Sequence, residues 1–484
     1  MQLASQRFPS RWSTATPIRD LVEAVTKEGR DAVAIAAEAG TEMGRGLPLL
    51  MDALNPQVIV LGSLAVALGE KVFAPMRRIV AGSVSRRFIL SRGKMKSIFL
   101  CILVGVLSAA FHNSVLAQSR EDLTAWPRAK YNVRIERSVM IPARDGVKLS
   151  TDIYFPEGIG ERLPVILIRT PYNKKLLRSE LSSPAYQFAS QGFVVAVQDT
   201  RGRFESEGNF TISFPDSEDG YDTTGWLAAQ PWSTGKVGTY GCSYLGDVQI
   251  MQARLNHPNL TAMIPQAAGS SYPHRGFGAS FGGAYELAGN VGWFTANGSK
   301  VFLRPPAGAA ADFWARMGDA FNPGPVEPKF NHAELWRTLP IIDLLKKLGA
   351  IPTDWEDTIS HGPDDSYWLN LGYLQSTDRF DTPALQINSW YDFGVGLTLD
   401  QFNLMRWKAM TERGRDNQFF VISPTAHCRS ETATEHTIVG QRDLGDARFG
   451  YYKLYLQWFD YWLKGIDNGC NEDASSDDLR DGEE

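Results

Sequence analysis

The 484-residue sequence has few cysteines, no excess of positive charge and no apolar run long enough to span a bilayer comfortably. Its four cysteines are scattered, and neither a Cys-x-x-Cys nor a His-Glu-x-x-His pattern occurs, so we expect no metal and no cofactor. A formal net charge of −5 without a basic stripe argues against a nucleic-acid partner. Hydrophobic residues make up 43%, which is enough for large buried cores.

Short apolar segments alternate with helical stretches along residues 118–271 and again along 380–470. This pattern predicts an α/β fold with a mostly parallel sheet and helices on both faces. Residues 272–379 carry Gly and Pro clusters and many aromatics, and we interpret them as a helical cap inserted between strands, the alternative being a second small domain. The predicted strands are Val133–Pro142, Val147–Phe155, Pro164–Arg169, Phe193–Gln198, Val237–Tyr240, Leu260–Gln266, Thr382–Ser389 and Gln418–Ser423.

A serine between two glycines is the most informative local pattern. The residues before Ser243 predict a strand and those after it predict a helix, so that Gly241 and Gly246 flank a tight turn. Such a turn lifts a hydroxyl out of the backbone and toward a substrate. Two alternatives stay open: Ser243 caps the helix, or Cys242 is the nucleophile.

A nucleophilic serine needs a histidine that takes its proton and a carboxylate that orients the histidine. His427 lies four residues after Ser423, where a predicted strand ends, and Asp392 tops another predicted strand. In a fold of this type the partners follow in the order serine, acid, histidine. We therefore predict a triad of Ser243, Asp392 and His427. His436 is the competing base, and a solvated loop position is the alternative for both partners of the serine.

An oxyanion requires hydrogen-bond donors that are in place before the reaction. The backbone N–H of Tyr244, directly after the serine, is one candidate. The phenol of Tyr172 is the second, because tyrosine is neutral at working pH and can donate; a packed aromatic is the alternative. We expect Tyr244, Trp390 and cap aromatics to line the acyl pocket.

Motifs from Val133 to Asn468 resemble, in the same order, those of the Xaa-Pro dipeptidyl-peptidase and cocaine-esterase-like hydrolases. The segments that carry the resemblance are Arg169-Thr-Pro-Tyr172, Gln198-Asp-Thr-Arg-Gly-Arg203 with Ser206-Glu-Gly208, Gly235-Lys-Val-Gly, Gly241-Cys-Ser-Tyr-Leu-Gly246, Trp390-Tyr-Asp392 and Trp458-Phe-Asp-Tyr-Trp-Leu-Lys-Gly465.

The resemblance implies an α/β-hydrolase fold with a helical cap, the triad named above, and an oxyanion hole formed by Tyr172 and the Tyr244 amide. It implies cleavage of esters or amides, including α-amino-acid esters, β-lactam side chains and Xaa-Pro dipeptides. Asp199 and Arg201 brace the fold in that pattern. Family members continue into a large C-terminal β-sandwich, whereas this sequence closes with an acidic stretch, residues 471–484, that we expect to be disordered.

Residues 95–117 have the layout of a secretory signal peptide. A basic start is followed by an apolar run from Ile98 to Phe111 and by small residues before a cleavage point after Ala117. A buried core helix is the alternative. We expect a periplasmic or extracellular protein translated from Met95, with no stable membrane anchor after signal cleavage.

Residues 1–94 precede this signal, which belongs at an N-terminus. Within them, residues 29–80 resemble the C-terminal piece of ROK-family sugar kinases, in which an Asn-Pro-x-x-Ile-Val-Leu-Gly strand follows a helix. Neither a phosphate loop nor a catalytic aspartate accompanies the match. We interpret residues 1–94 as a fragment joined to the rest by a fusion or by a gene-model artefact.

Cys242 precedes the predicted nucleophile and Cys428 follows the predicted base. If the triad forms, the two backbones come close, and a secreted protein can oxidise such a pair, as happens in tannase-like feruloyl esterases. We predict a Cys242–Cys428 disulfide, with two buried thiols as the alternative.

The sequence therefore predicts a secreted serine hydrolase that acts on a small-molecule ester or amide through an acyl-enzyme on Ser243. One alternative narrows this to Xaa-Pro dipeptidyl-peptidase or α-amino-acid ester hydrolase activity. Another, of a different class, is a truncated fusion product without catalysis. The oligomeric state stays open.

Overall fold

The computed structural model describes the following parts of the chain: residues 122–177, 183–269, 285–300, 335, 337–362 and 365–469. The predictions for residues 1–94, 95–117 and 471–484 lie outside these ranges. No helix within these ranges is long and apolar enough to cross a membrane.

The turn signal Arg144-Asp145-Gly146 forms a hairpin, as its composition predicts. Gly146 has a φ of +86°, a conformation that glycine adopts without a steric penalty. The amide of Gly146 donates to the carbonyl of Ala143 over 2.9 Å. The two strands around the turn therefore pair antiparallel.

Eight strands form one sheet in the order β1-β2-β4-β3-β5-β6-β7-β8. The pairs β1–β2 and β2–β4 are antiparallel, and the pairs from β4–β3 to β7–β8 are parallel. The predicted α/β fold with a mostly parallel sheet is confirmed. The observed strands are β1 (Val133–Pro142), β2 (Lys148–Pro156), β3 (Leu163–Thr170), β4 (Val194–Asp199), β5 (Ser233–Cys242), β6 (Leu260–Gln266), β7 (Ala384–Tyr391) and β8 (Gln418–Ala426).

Helices cover both faces of the sheet because alternate strand residues point to opposite sides. On one face, Ile166 and Ile168 of β3 pack in a cluster with Phe188 and Phe459. On the other face, the intervening residue Leu167 packs in a cluster with Leu227. The helices of this layer structure are α1 (Pro184–Ser190), α2 (Asp216–Ala228), α3 (Tyr244–Ala253), α8 (Val395–Trp407), α9 (Glu412–Asp416) and α10 (Tyr451–Phe459), the last followed by a π-helical turn (Asp460–Lys464).

All described elements between β6 and β7 are helical. They are α4 (Leu287–Asn297), α5 (Leu344–Lys347), α6 (Trp355–Ser360) and α7 (Ser366–Asn370), with a 3₁₀ turn at Ile341–Asp343. Phe294 and Trp355 from these helices are buried in one apolar cluster with Tyr244. The helical segment thus packs directly against the residue that follows the predicted nucleophile.

A small two-stranded ribbon lies after the sheet, formed by β9 (Ile438–Val439) and β10 (Arg442–Asp443). The remaining described 3₁₀ turns are Asp122–Thr124, Lys174–Leu177 and Ser430–Thr432.

Candidate active site

Ser243 stands alone between the last residue of β5 and the first residue of α3. Its φ of +63° and ψ of −128° are a strained combination for a residue with a side chain. The turn is tight on both sides: a Cβ added at Gly241 would lie 2.5 Å from Leu245 Cβ, and one at Gly246 would lie 2.5 Å from the Gln266 carbonyl oxygen. Only glycine fits at these two positions.

The side chain of Ser243 makes no capping hydrogen bond to α3. The alternative in which this serine serves as an ordinary helix cap is therefore wrong. The Ser243 amide instead donates to the Gln266 carbonyl over 2.9 Å, which ties the turn to the end of β6. The hydroxyl is left available for chemistry.

Asp392 and His427 are paired where β7 and β8 end. Their Oδ2 and Nδ1 atoms lie 2.6 Å apart, and the second carboxylate oxygen accepts the amide of Gly394 over 2.6 Å. The Asp392 side chain is 0% exposed, whereas that of His427 is 33% exposed. A buried acceptor at Nδ1 fixes the imidazole so that its other nitrogen can take a proton from a hydroxyl. The ring of Phe393 stacks on His427, with 5.0 Å between centroids.

A disulfide joins the serine turn to the histidine loop. Cys242 and Cys428 are bonded, and their Cα atoms lie 5.9 Å apart. Ser243 and His427 are thus each one residue from the same covalent bridge. Since the disulfide occupies the sulfur of Cys242, this residue cannot serve as the nucleophile while the bridge is intact.

Two hydrogen-bond donors beside Ser243 are candidates for an oxyanion hole. Tyr244 is the first residue of α3, so its amide has no acceptor within the helix. The Tyr172 phenol is near enough to Ser243 for the serine side chain to influence its pKa. Burial raises the pKa of Tyr172, although the hydrogen bond with Trp293 and the Ser243 side chain offset part of the shift. The phenol therefore stays protonated and able to donate at neutral pH.

The Tyr172 loop is anchored by a buried charge cluster. Lys174 donates its amide to Asp199 Oδ1 over 2.7 Å and its ammonium to Asp199 and Glu205. Burial opposes the ionisation of Glu205, but the charge of Lys174 and hydrogen bonds from Lys174, Ser138 and Lys175 outweigh it and bring the pKa of Glu205 to about 2. Removing one partner of such a buried pair costs about 3–5 kcal/mol, because it leaves an uncompensated buried charge.

A buried hydroxyl network lies beneath the acid and histidine loops. Ser389 Oγ is 2.8 Å from Thr425 Oγ1 and 3.4 Å from Ser430 Oγ. Ser389 also accepts the Asp392 amide at its carbonyl over 3.0 Å. The network thus connects the loop of the acid with residues on both sides of His427. Sequence reasoning missed it, because isolated Ser and Thr residues in strands carry no recognisable spacing.

A second chain of hydrogen bonds runs from the serine side to the histidine side. Gln266 Nε2 donates to the Tyr455 hydroxyl over 3.2 Å, and that hydroxyl donates to Glu431 Oε1 over 2.6 Å. Glu431 lies three residues after Cys428. Burial and the Glu431 charge raise the pKa of Tyr455 well above its usual range. These hydrogen bonds therefore link the end of β6, to which the Ser243 amide is bonded, with the segment that follows the histidine loop.

The other described histidines lie in different settings. His436, the predicted competitor, is 79% exposed and pairs with Asp443 over 3.3 Å. His257 accepts the Asn259 amide, and His361 pairs with Asp365. His112, His274 and His332 lie outside the described residues. Among the described histidines, His427 is the one whose loop is bridged to the serine.

The pocket residues predicted from the sequence differ in exposure. Tyr244 is buried, and its hydroxyl donates to Asp216 over 2.6 Å and accepts the Ser213 amide over 2.8 Å. Trp390 is 59% exposed beside the acid loop. Across the described part of the chain, no group of three or more His, Cys, Asp or Glu side chains could hold a metal ion.

Comparison with known proteins identifies the family to which this chain is similar. The family profile described as X-Pro dipeptidyl-peptidase (S15 family) matches residues 145–429, which is more than half of the chain. A cocaine esterase of Rhodococcus sp. (strain MB1 Bresler) is 31% identical over 366 residues, which are 69% of this chain and 60% of that protein. The chain thus spans less than two thirds of the length of this relative.

Two solved structures share the fold. An aminopeptidase from a marine sediment archaeon, Thaumarchaeota archaeon, matches with a TM-score of 0.52 and 22% identity, over 70% of this chain and 56% of that one. An α-amino acid ester hydrolase matches with a TM-score of 0.51 and 21% identity, over 70% of this chain and 55% of that one. On the sequence match and the shared fold, this chain belongs to the X-Pro dipeptidyl-peptidase (S15) family.

Proposed function

We propose that this chain is a serine acyl hydrolase that cleaves small-molecule esters or amides through an acyl-enzyme on Ser243. The observation that carries the proposal is the 2.6 Å pairing of Asp392 with His427, on a loop that a disulfide bridges to a strained serine turn. Family membership supports the same class of reaction.

The proposed reaction has two halves. Ser243 Oγ attacks the carbonyl carbon while His427 takes its proton, and Asp392 stabilises the imidazolium. The carbonyl oxygen becomes an oxyanion between the Tyr172 phenol and the Tyr244 amide. The histidine then protonates the leaving alcohol or amine, and an activated water repeats the sequence to release the acid.

One observation favours the narrower alternative of substrates with a free amino group. Glu286, directly before α4, is half-buried, and burial together with the charge of Asp392 raises its pKa. A carboxylate whose pKa responds to the charge of Asp392 would, when ionised, attract an ammonium group. A higher kcat/KM for an α-amino-acid methyl ester than for its N-acetylated counterpart would support this alternative, and equal values would contradict it.

The proposed function is tested most directly by covalent labelling. A fluorophosphonate probe is expected to modify the protein stoichiometrically, and peptide mapping is expected to place the label on Ser243, because only an activated hydroxyl attacks this probe. Heat-denatured protein serves as the control. A label on another residue would overturn the nucleophile assignment, and an intact chain that takes no label and turns over no ester would favour the catalytically inactive alternative.

We also propose that the protein is exported after cleavage behind Ala117. The Cys242–Cys428 disulfide supports this, because disulfides persist in oxidising compartments. N-terminal sequencing of the protein recovered from the periplasm or the medium is expected to begin at Gln118. A mature protein that begins upstream of Met95 would refute the proposal.

A further inference from the structure

We propose that Trp293 of the cap helix α4 is a positioning residue for the oxyanion hole, because its indole N–H donates to the Tyr172 phenol oxygen. The inference rests on the proposed function, since it concerns the donor that would stabilise the oxyanion. It adds a residue from the cap to a site whose other members come from the sheet loops.

The geometry of three aromatic rings carries the inference. Trp293 Nε1 lies 3.0 Å from the Tyr172 hydroxyl oxygen. The Trp293 ring stacks on Tyr244, with centroids 5.9 Å apart and planes inclined by 4°. Tyr172 meets Tyr244 edge-on, with centroids 6.4 Å apart. The stacking fixes the plane of the indole, so its N–H is aimed at the phenol without further freedom.

The chemistry of the three groups gives the contact a direction. Indole has a donor and no acceptor, so the Tyr172 oxygen must be the acceptor. The single phenol proton is then available to another acceptor, and Ser243 is a neighbouring side chain that influences the pKa of this phenol. Accepting one hydrogen bond also polarises the O–H and strengthens the bond that it donates. Trp293 therefore both orients and strengthens the Tyr172 donor.

A buried arginine holds the same two elements together. Arg203 Nε donates to the Pro171 carbonyl, next to Tyr172, over 2.9 Å. Its Nη1 donates to the carbonyl of Ser299, two residues after the end of α4, also over 2.9 Å. The guanidinium lies 4.6 Å from the centre of the Phe210 ring. Arg203 thus connects the Tyr172 loop with the cap helix. This connection keeps the Trp293 N–H within hydrogen-bond distance of the Tyr172 phenol.

A wall of the acyl pocket is the competing role for Trp293, and a double-mutant cycle separates the two roles. Tyr172→Phe is expected to lower kcat by about 10²-fold, the usual effect of losing one oxyanion donor. Trp293→Phe keeps an aromatic ring and removes the N–H, and it is expected to lower kcat about 10-fold with little change in KM. In the Tyr172→Phe background, Trp293→Phe is expected to change kcat less than twofold, because residues that act through one another are not additive.

The matched control is Trp368→Phe. Trp368 also lies on a helix between β6 and β7, where it is buried, and its N–H donates to the Gly362 carbonyl over 2.8 Å rather than to a catalytic group. It is expected to leave kcat within twofold of wild type. If Trp293→Phe lowers the melting temperature, benzothienylalanine at position 293 keeps the bicyclic shape and removes only the N–H.

The outcomes distinguish this inference from the proposed function. An additive cycle, or a Trp293 effect confined to KM, would overturn the role of Trp293 while leaving the serine mechanism intact. A Tyr172→Phe variant with wild-type kcat would remove the oxyanion donor itself and the inference with it. A wild-type chain that takes no fluorophosphonate label would overturn both proposals.

Discussion

Replacing Ser243 with alanine is expected to lower kcat for p-nitrophenyl acetate by about 10⁴- to 10⁶-fold, the range seen when a serine nucleophile is removed. The variant keeps His427, Asp392, Tyr172 and the Tyr244 amide, but none of them can form the proposed covalent acyl intermediate. Initial rates at saturating ester, corrected for spontaneous hydrolysis, measure the effect.

The fold should survive this change. Alanine and serine both carry a Cβ, so the backbone at φ +63° is equally strained in both, and the serine side chain makes no capping bond that would be lost. The melting temperature is therefore expected to stay within a few degrees of wild type. Ser360→Ala, at the exposed end of α6, is the matched control and should retain full activity. A Ser243→Ala variant with substantial turnover and no loss of labelling would place the nucleophile elsewhere.

Local sequence patterns predicted the sheet and the positions of the candidate triad. The predicted strands at Val133–Pro142 and Leu260–Gln266 have the observed bounds, and the other strands differ by at most a few residues at either end. Such patterns succeed because the alternation of apolar residues and the glycine requirement at Gly241 and Gly246 are set by neighbours along the chain. The pairing of Asp392 with His427 could be predicted from the sequence for a related reason. Both residues follow parallel strands of one sheet, and the carboxyl ends of such strands lie at the same edge.

Local sequence patterns could not predict the side-chain contacts that orient the candidate site residues. Trp293 is 121 residues from Tyr172, and the sequence marks it only as one aromatic of an aromatic-rich segment. Arg203 belongs to a recognised motif, yet the motif does not say that its guanidinium reaches the carbonyl of Ser299. Side chains that act across the packed interface of two elements have no local spacing, so only the fold brings them together.

The hydroxyl network differs in kind from the disulfide. The bonds among Ser389, Thr425 and Ser430 hold the histidine loop against β7, the strand that Asp392 follows. They make no connection to the serine turn. The disulfide and the hydrogen bonds through Tyr455 cross from the histidine loop to the side of the sheet that carries Ser243. We therefore expect the alignment of His427 with Ser243 to depend on the second set of contacts.

Removing the disulfide with the double change Cys242→Ala and Cys428→Ala is expected to lower both stability and kcat. The bridge closes a sequence separation of 186 residues. Loss of a bridge over a loop of that length is expected to cost roughly 2–5 kcal/mol, because the unfolded chain gains conformational freedom. Urea unfolding followed by tryptophan fluorescence measures this loss as a lower midpoint.

The effect on activity should be concentrated in kcat, because the Asp392–His427 pair keeps its own hydrogen bonds while its alignment with Ser243 loosens. A displacement of about 1 Å at reacting groups can cost 10²-fold, so we expect kcat to fall by about 10- to 100-fold with a smaller change in KM. Dithiothreitol should reproduce the loss in the wild type and leave the double variant unaffected, which controls for other effects of the reductant. If the double variant has wild-type kcat, the Gln266–Tyr455–Glu431 hydrogen bonds alone are sufficient to align the site. Tyr455→Phe in that background would then produce the loss of kcat that the missing disulfide did not.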